Sequence, residues 1–167
     1  MPRRRRSRDW RLPLFLLSAV VILCDRLSKI WIVQHIANGA AITIIPHVFR
    51  LTHVLNSGAA FSIFADSLSP NAVRIGLIAF SAVAVLIVFA MLWRTGKHLS
   101  VTSIALALIL GGAIGNLYDR ARLQFVIDFL EVTIVHYHWP DFNVADSCIV
   151  IGACLLLIEI IRPQQDR

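Results

Sequence analysis

Four long apolar runs, separated by polar or mixed stretches, set the pattern of this chain. They cover about 12–33, 72–93, 101–117 and 144–161. As helices rising 1.5 Å per residue, each is roughly 26–33 Å long, enough to cross the hydrocarbon core of a bilayer with modest tilt. The stretches between them differ in kind. Residues 94–99 make a short link, whereas 34–71 and 118–143 are long and mixed. In the first long segment, "ITIIPHVFRLTHVLN" is rich in β-branched and aromatic residues and broken by Pro46. That pattern predicts short strands in a small sheet at the membrane surface. A turn-like "NSGAAFS" containing Gly58 follows. The second long segment carries another strand-like run, "VTIVHYHW", and then Pro140. No internal repeat interrupts this order.

Composition strengthens the membrane reading. Of the 167 residues, 57% are hydrophobic and the mean hydropathy is +0.73, too apolar for an ordinary soluble domain. A single integral membrane domain over 1–167, α-helical with a small extracytoplasmic sheet, is the expectation. The net charge of +6 is unevenly spread, with Arg3, Arg4, Arg5, Arg6, Arg8 and Arg11 crowding the start. Such an arm serves either a nucleic acid or membrane topology, and the apolar run that follows at once favours topology over a nucleic-acid partner. With Arg94, Lys97, Arg162 and Arg167, ten basic residues fall on one side of a four-span arrangement. The other side holds Arg50, Arg74, Arg120 and Arg122. The excess of positive charge inside predicts both termini in the cytoplasm and segments 34–71 and 118–143 outside.

The basic arm and the run after it also have the outline of a signal peptide. No A-x-A site follows, and the apolar pattern resumes with "IWIV" after Asp25, Arg26 and Lys29, so the first helix is expected to be retained. Cys24, Cys148 and Cys154 lie in apolar stretches without a CxxC spacing and read as buried free thiols.

Ionisable residues inside such runs are costly and are often functional. Asp25 and Lys29 stand at i, i+4 on one helix face and can pair; an ion pair that only fixes helix packing is the plainer reading. The third run ends in "GGAIGNLYDR". Gly111, Gly112 and Gly115 supply small surfaces for close helix approach, while Asn116 and Arg120 project from one face. Asn143 and Asp146, at i, i+3, open the fourth run, where both residue types are good caps. A second acid, Asp128 in "VIDF", lies upstream on the same predicted outer side. Two carboxylates brought together there cannot both ionise easily, so one can act as base and the other as acid on a water.

Two rivals are weaker. "HYH" places His136 and His138 on one side of a predicted strand with Asp141 nearby, but no third ligand with zinc-site spacing follows, so no metal and no cofactor is expected. No G-x-S-x-G or Gly-rich phosphate loop is present, and Ser28 beside Lys29 points away from it on a helix.

Taken together, these residues resemble the lipoprotein signal peptidase (signal peptidase II) family. "DRLSK", "NSGAAFS", "GGAIGNLYDR", "VIDF" and "FNVADS" occur here in the family's order, across nearly the whole chain. The resemblance implies an intramembrane aspartic endopeptidase of the bacterial plasma membrane, working at its extracytoplasmic face. It implies prolipoprotein substrates that already carry diacylglycerol, cut just before the lipidated cysteine, with membrane lipids as further partners. It implies Asp128 and Asp146 as the catalytic pair, with Asp25, Lys29, Asn56, Gly112, Asn116, Arg120, Asn143 and Ala145 at the family's other characteristic positions. The outward strands would resemble its β-cradle, and the loop around "QFVIDFLEV" its neighbouring clamp. A small membrane transporter using intramembrane acids is the alternative, although the second run has almost no polar residue between Arg74 and Arg94 apart from Ser81.

Overall fold

The computed structural model of the chain describes residues 9–58 and 70–162. Arg3, Arg4, Arg5, Arg6, Arg8, Arg167 and the "AAFS" end of the turn-like stretch lie outside the described residues. The four apolar runs form α1 (Arg11–His35), α2 (Pro70–Thr95), α3 (Val101–Arg122) and α4 (Val144–Ile161). Between them come β1 (Ala41–Ile45), β2 (Phe49–Asn56), β3 (Val126–Ile134) and β4 (Tyr137–His138).

Three of the helices, over 71–95, 101–122 and 144–161, are long and apolar enough to cross a membrane. α1 has comparable length, 25 residues, but carries Asp25, Arg26 and Lys29 in its second half. The apolar surfaces face outward rather than in. Phe80 and Leu86 of α2 are 72% and 67% exposed, as befits side chains that meet lipid instead of a protein core.

α3 is the central helix and packs against α1, α2 and α4. Its glycines make that possible. A Cβ on Gly111 would lie 2.7 Å from Val21 Cβ and 2.8 Å from Ser18 O of α1, and one on Gly112 would run into Ala145 O of α4. Close approach also lets Ser18 Oγ donate to Ala107 O at 2.8 Å, a hydrogen bond between helices. Leu14, Leu92, Leu106 and Leu110 fill the space among α1, α2 and α3. Ser100 opens α3 with a reciprocal cap, its Oγ accepting from Ser103 N at 3.1 Å while Ser103 Oγ accepts from Ser100 N at 2.9 Å.

The strands form one antiparallel sheet in the order β1-β2-β3-β4. β1 and β2 join at a turn containing Pro46, where the sequence breaks the strand pattern. The sheet is held against the helices by Ile32 and Ile36 of α1, which meet Ile127 and Phe129 of β3 in a second buried cluster.

Two expectations are corrected here. Residues 124–132 do not form a loop: β3 already begins at Val126 and carries Asp128 within it. The acids at 128 and 131 obscure the strand in the sequence, yet both are satisfied in the sheet. Arg50 grips Glu131 through Nε and Nη2 at 2.6–3.1 Å, and two asparagines donate to Asp128. His136 and His138 do not share one strand, because His136 sits in the turn between β3 and β4. α3 runs to Arg122, past the apolar run, and Asp119, buried in its last turn, is matched by cations from α1.

Candidate active site

The residues that the sequence singles out converge where the start of α4, the last turns of α3, the middle of α1 and the lower end of β2 and β3 meet. Register brings the sheet's contribution into place. Asn56 pairs with Val126 and Val54 with Asp128, so the side chains of Asn56 and Asp128 lie on the same part of the ladder. Asn56 Nδ2 donates to Asp128 Oδ2 at 2.9 Å, and Asn56 Oδ1 accepts from Gly58 N at 2.8 Å. Gly58 adopts φ +93°, where a side chain would be strained, and this lets the chain turn back onto Asn56 and fix its amide.

Asn143 and Asp146 form the cap of α4 and part of the site at once. Asn143 Oδ1 accepts from Asp146 N at 2.9 Å, and Asp146 Oδ2 accepts from Asn143 N at 3.2 Å. This reciprocal box accounts for the helix start. The other end of the Asn143 amide reaches away from the helix, Nδ2 donating to Asp128 Oδ1 at 2.7 Å. Asn143 therefore touches both acids. Asn116 of α3 completes the ring, with Nδ2 donating to Asp146 Oδ1 at 2.7 Å and Oδ1 accepting from Asn143 Nδ2 at 3.2 Å.

Each carboxylate thus accepts two N–H donors. Asp128 is 3% exposed, and burial pushes its carboxyl up to about 6 from the ordinary 3.8. The bond from Asn56 pulls it down, the negative charge of Asp146 pushes it up, and the Asn143 bond and the Lys29 charge pull it down. Asp146 stays partly exposed. A buried carboxyl with a raised affinity for its proton beside another partly open to solvent is an arrangement able to activate water on one side and donate a proton on the other.

Behind the acids lies a fully buried charge cluster. Asp25 and Lys29 pair as their spacing predicts, Lys29 Nζ to Asp25 Oδ2 at 2.8 Å with both side chains inaccessible. Asp25 Oδ1 also accepts from Ala145 N at 3.0 Å, tying α1 to the first turn of α4. Gly115 leaves room for this, since a Cβ there would lie 2.8 Å from Asp25 Oδ2.

The sequence reading missed Asp119 and Arg26. Asp119 is completely buried, 2.7 Å from Lys29 Nζ through Oδ2 and 2.9 Å from Arg26 Nη1 through Oδ1. Arg26 in turn lies over the Tyr118 ring at 4.7 Å. The signal was available: Asp119 follows Asn116 by three residues and shares its helix face. Arg120, expected there instead, is half-buried, and among the described residues no hydrogen bond or ion pair engages it.

The histidine rival stands apart. His136 and His138 line a cleft of about 450 Å³ with His47 and Arg50 at the hairpin tips. Asp128 lies six residues down β3 from the strand's end, about 20 Å at the usual rise. Among the described residues no three His, Cys, Asp or Glu side chains gather to hold a metal ion. Cys24 and Cys154 are exposed on outward helix faces and Cys148 is half-buried, so the thiols expected to be buried are largely not.

The fold and motifs have close counterparts. The family model described as signal peptidase (SPase) II matches residues 17–162. A lipoprotein signal peptidase of Solibacter usitatus is 40% identical over 158 residues, covering 94% of this chain and 95% of its own. One of Brevibacillus brevis is 41% identical over 146 residues, 87% of this chain and 93% of its own. One of Pseudomonas aeruginosa is 40% identical over 163 residues, 95% and 94% of the two chains. Among solved structures, a bacterial membrane enzyme superposes with a TM-score of 0.77 at 26% identity, covering 96% of this chain and all of its own.

Proposed function

The chain belongs to the signal peptidase II family, and from that premise we propose that Asp128 and Asp146 are its catalytic pair. It is a multi-pass membrane protease that removes signal peptides from prolipoproteins. The observation that carries the assignment of the pair is Asn143, which donates to both acids and holds them around one point.

In this reading one carboxylate takes a proton from a water molecule, and the water oxygen attacks the scissile carbonyl carbon. The other, protonated, gives its proton to the carbonyl oxygen. Collapse of the resulting diol breaks the C–N bond, and a proton passes to the leaving nitrogen. Asn56, Asn116 and Asn143 orient the acids, and the buried Asp25, Lys29 and Ala145 contacts fix the helix start that carries Asp146. Gly112 provides the close approach of α3 and α4.

The finer placement rests on charge. The basic residues support four spans in the bacterial plasma membrane, α1 included, with both termini cytoplasmic and the acids at the extracytoplasmic face. The buried charges of α1 are paired inside the bundle, which lowers the cost of placing them near hydrocarbon. At that level the scissile bond of a substrate anchored by its acyl chains is presented to the acids, so cleavage falls just before the diacylglyceryl-modified cysteine. Membrane anchoring then supplies part of the positioning. The transporter alternative has no such support, since each relative reported above is a peptidase.

The deciding experiment uses purified full-length protein in detergent with a diacylglyceryl-modified prolipoprotein. Cleavage before the modified cysteine is expected, with the unlipidated precursor cut far more slowly at matched concentration. Equal rates on the two precursors would remove the lipid from the proposal, and an externally accessible reporter after Arg167 would overturn the topology.

A further inference from the structure

We propose that Lys29 is a positioning residue for the reaction, locking the Asn116 side-chain amide in the one orientation that donates to Asp146. The proposal rests on the assignment of Asp128 and Asp146 as the catalytic pair.

Lys29 is completely buried and its ammonium has three contacts: Asp25 Oδ2 at 2.8 Å, Asp119 Oδ2 at 2.7 Å and Asn116 Oδ1 at 3.3 Å. An ammonium has three donors and no acceptor, so it can meet an amide only through oxygen. The Asn116 oxygen faces Lys29 and the Asn143 amide nitrogen, while its nitrogen faces Asp146 Oδ1 at 2.7 Å. Turning that amide over would set its NH2 against an ammonium and a second NH2, and its oxygen against a carboxylate. Every one of those contacts would become repulsive. Lys29 thus reaches Asp146 through two hydrogen bonds, without touching it.

Charge balance alone does not account for the arrangement. Asp25 and Asp119 are matched by Lys29 and Arg26, two acids by two cations, and Arg26 takes the outer oxygen of Asp119. The third donor of Lys29 goes to a neutral amide whose other end lies on the site. The charged groups around the ammonium are Asp25 and Arg26 on α1 and Asp119 on α3; beyond Asn116 lie Asp128 on β3 and Asp146 on α4. The Lys29 charge also favours the ionised form of Asp128.

A purely structural ion pair predicts loss of stability and nothing else. The test is a charge-balanced double substitution, Lys29→Met with Asp119→Asn, compared with Asp119→Asn alone, on the diacylglyceryl-modified precursor across pH. Expected for the double variant are a kcat at least about tenfold lower, a KM within about twofold, and an acid limb of the pH profile moved to higher pH, because Asp128 loses the Lys29 charge that favours its ionised form. Asn116→Leu, which loses the amide and keeps the Lys29 charge, separates the hydrogen-bond relay from the charge: it should lower kcat without the limb shift that follows from losing the ammonium. A folded double variant with wild-type kcat and pH profile overturns the proposal, whatever its melting temperature. Should the double variant not fold, Asn116→Leu spares every ion pair and reads the same relay: a tenfold loss of kcat at unchanged KM supports the role, and wild-type turnover overturns it. Absence of cleavage by the wild-type chain would instead overturn the proposed function.

Discussion

Asn143 reaches Asp128 across fifteen residues of chain, its Nδ2 2.7 Å from Oδ1. The same residue is the N-cap of α4 and donates its backbone N–H to Asp146. Helix initiation and the mutual placement of the two acids therefore depend on one side chain, and the two dependences can be pulled apart by experiment.

Asn143→Ser keeps a good cap but is too short to reach Asp128, whereas Asn143→Ala loses both. The alanine variant should be less stable by about 0.5–2 kcal/mol, the usual worth of a cap, and the serine variant should recover most of that. Turnover should fall roughly a hundredfold in both, as for loss of a polar group that orients a reacting one. Melting temperature and kcat measured side by side decide it; a serine variant with wild-type kcat would make Asn143 a cap alone.

Asp128→Asn and Asp146→Asn should each abolish turnover while substrate binding persists. The double variant should be scarcely worse than either single one, because members of a catalytic unit are strongly non-additive. Asp146 takes part in a real capping box, and asparagine can still accept from the Asn143 N–H. Near-normal cleavage by folded Asp146→Asn would reduce the acid to that structural role.

The raised carboxyl of Asp128 has a consequence for stability. Its folded value is about 6 against an ordinary 3.8, so between those values the folded chain binds more protons than the unfolded one. Stability then falls as pH rises through that window, by up to about 3 kcal/mol, and levels off above it. Asp128→Asn removes the cost, so its melting temperature relative to wild type should climb from pH 4 to pH 6.5. A difference that is flat with pH, or falls, would contradict the desolvated carboxyl.

Gly112→Ala places a methyl group against Ala145 O, next to Asp146, and should lower both melting temperature and activity. Gly76→Ala in α2 meets open space and should be neutral or slightly stabilising, since alanine is the better helix former. Equal effects from the two substitutions would show that the α3–α4 contact is not limiting.

Chelators should leave cleavage intact, and His136→Ala with His138→Ala should retain most activity, because a carboxylate pair can activate water unaided. Loss of activity on chelation, restored by added zinc, would move the chemistry to the hairpin tips.

Much of this protein is determined by the sequence alone. Runs of apolar residues can be satisfied in a bilayer as helices, so α2, α3 and α4, each long and apolar enough to cross a membrane, are fixed locally by hydropathy and length. The i, i+4 pairing of Asp25 with Lys29 and the capping character of Asn143 and Asp146 are likewise properties of short segments, since helix geometry places such neighbours together wherever the helix stands. Pro46 marks the turn between β1 and β2 for an equally local reason.

Tertiary structure decided the rest. β3 is hidden in sequence because Asp128 and Glu131 interrupt its apolar pattern, and only partners distant in the chain, Asn56, Asn143 and Arg50, make those acids tolerable in a strand. Asp119 displaced Arg120 as the polar residue of the last turn of α3, because which charge can be buried there depends on Arg26 and Lys29 arriving from α1. The convergence of Asp128 with Asp146 is of the same kind. Local propensity places each acid on its own element, but a hydrogen bond of 2.7 Å between β3 and the cap of α4 exists only once the register of β2 on β3 and the glycine-lined contact of α3 with α4 are both set.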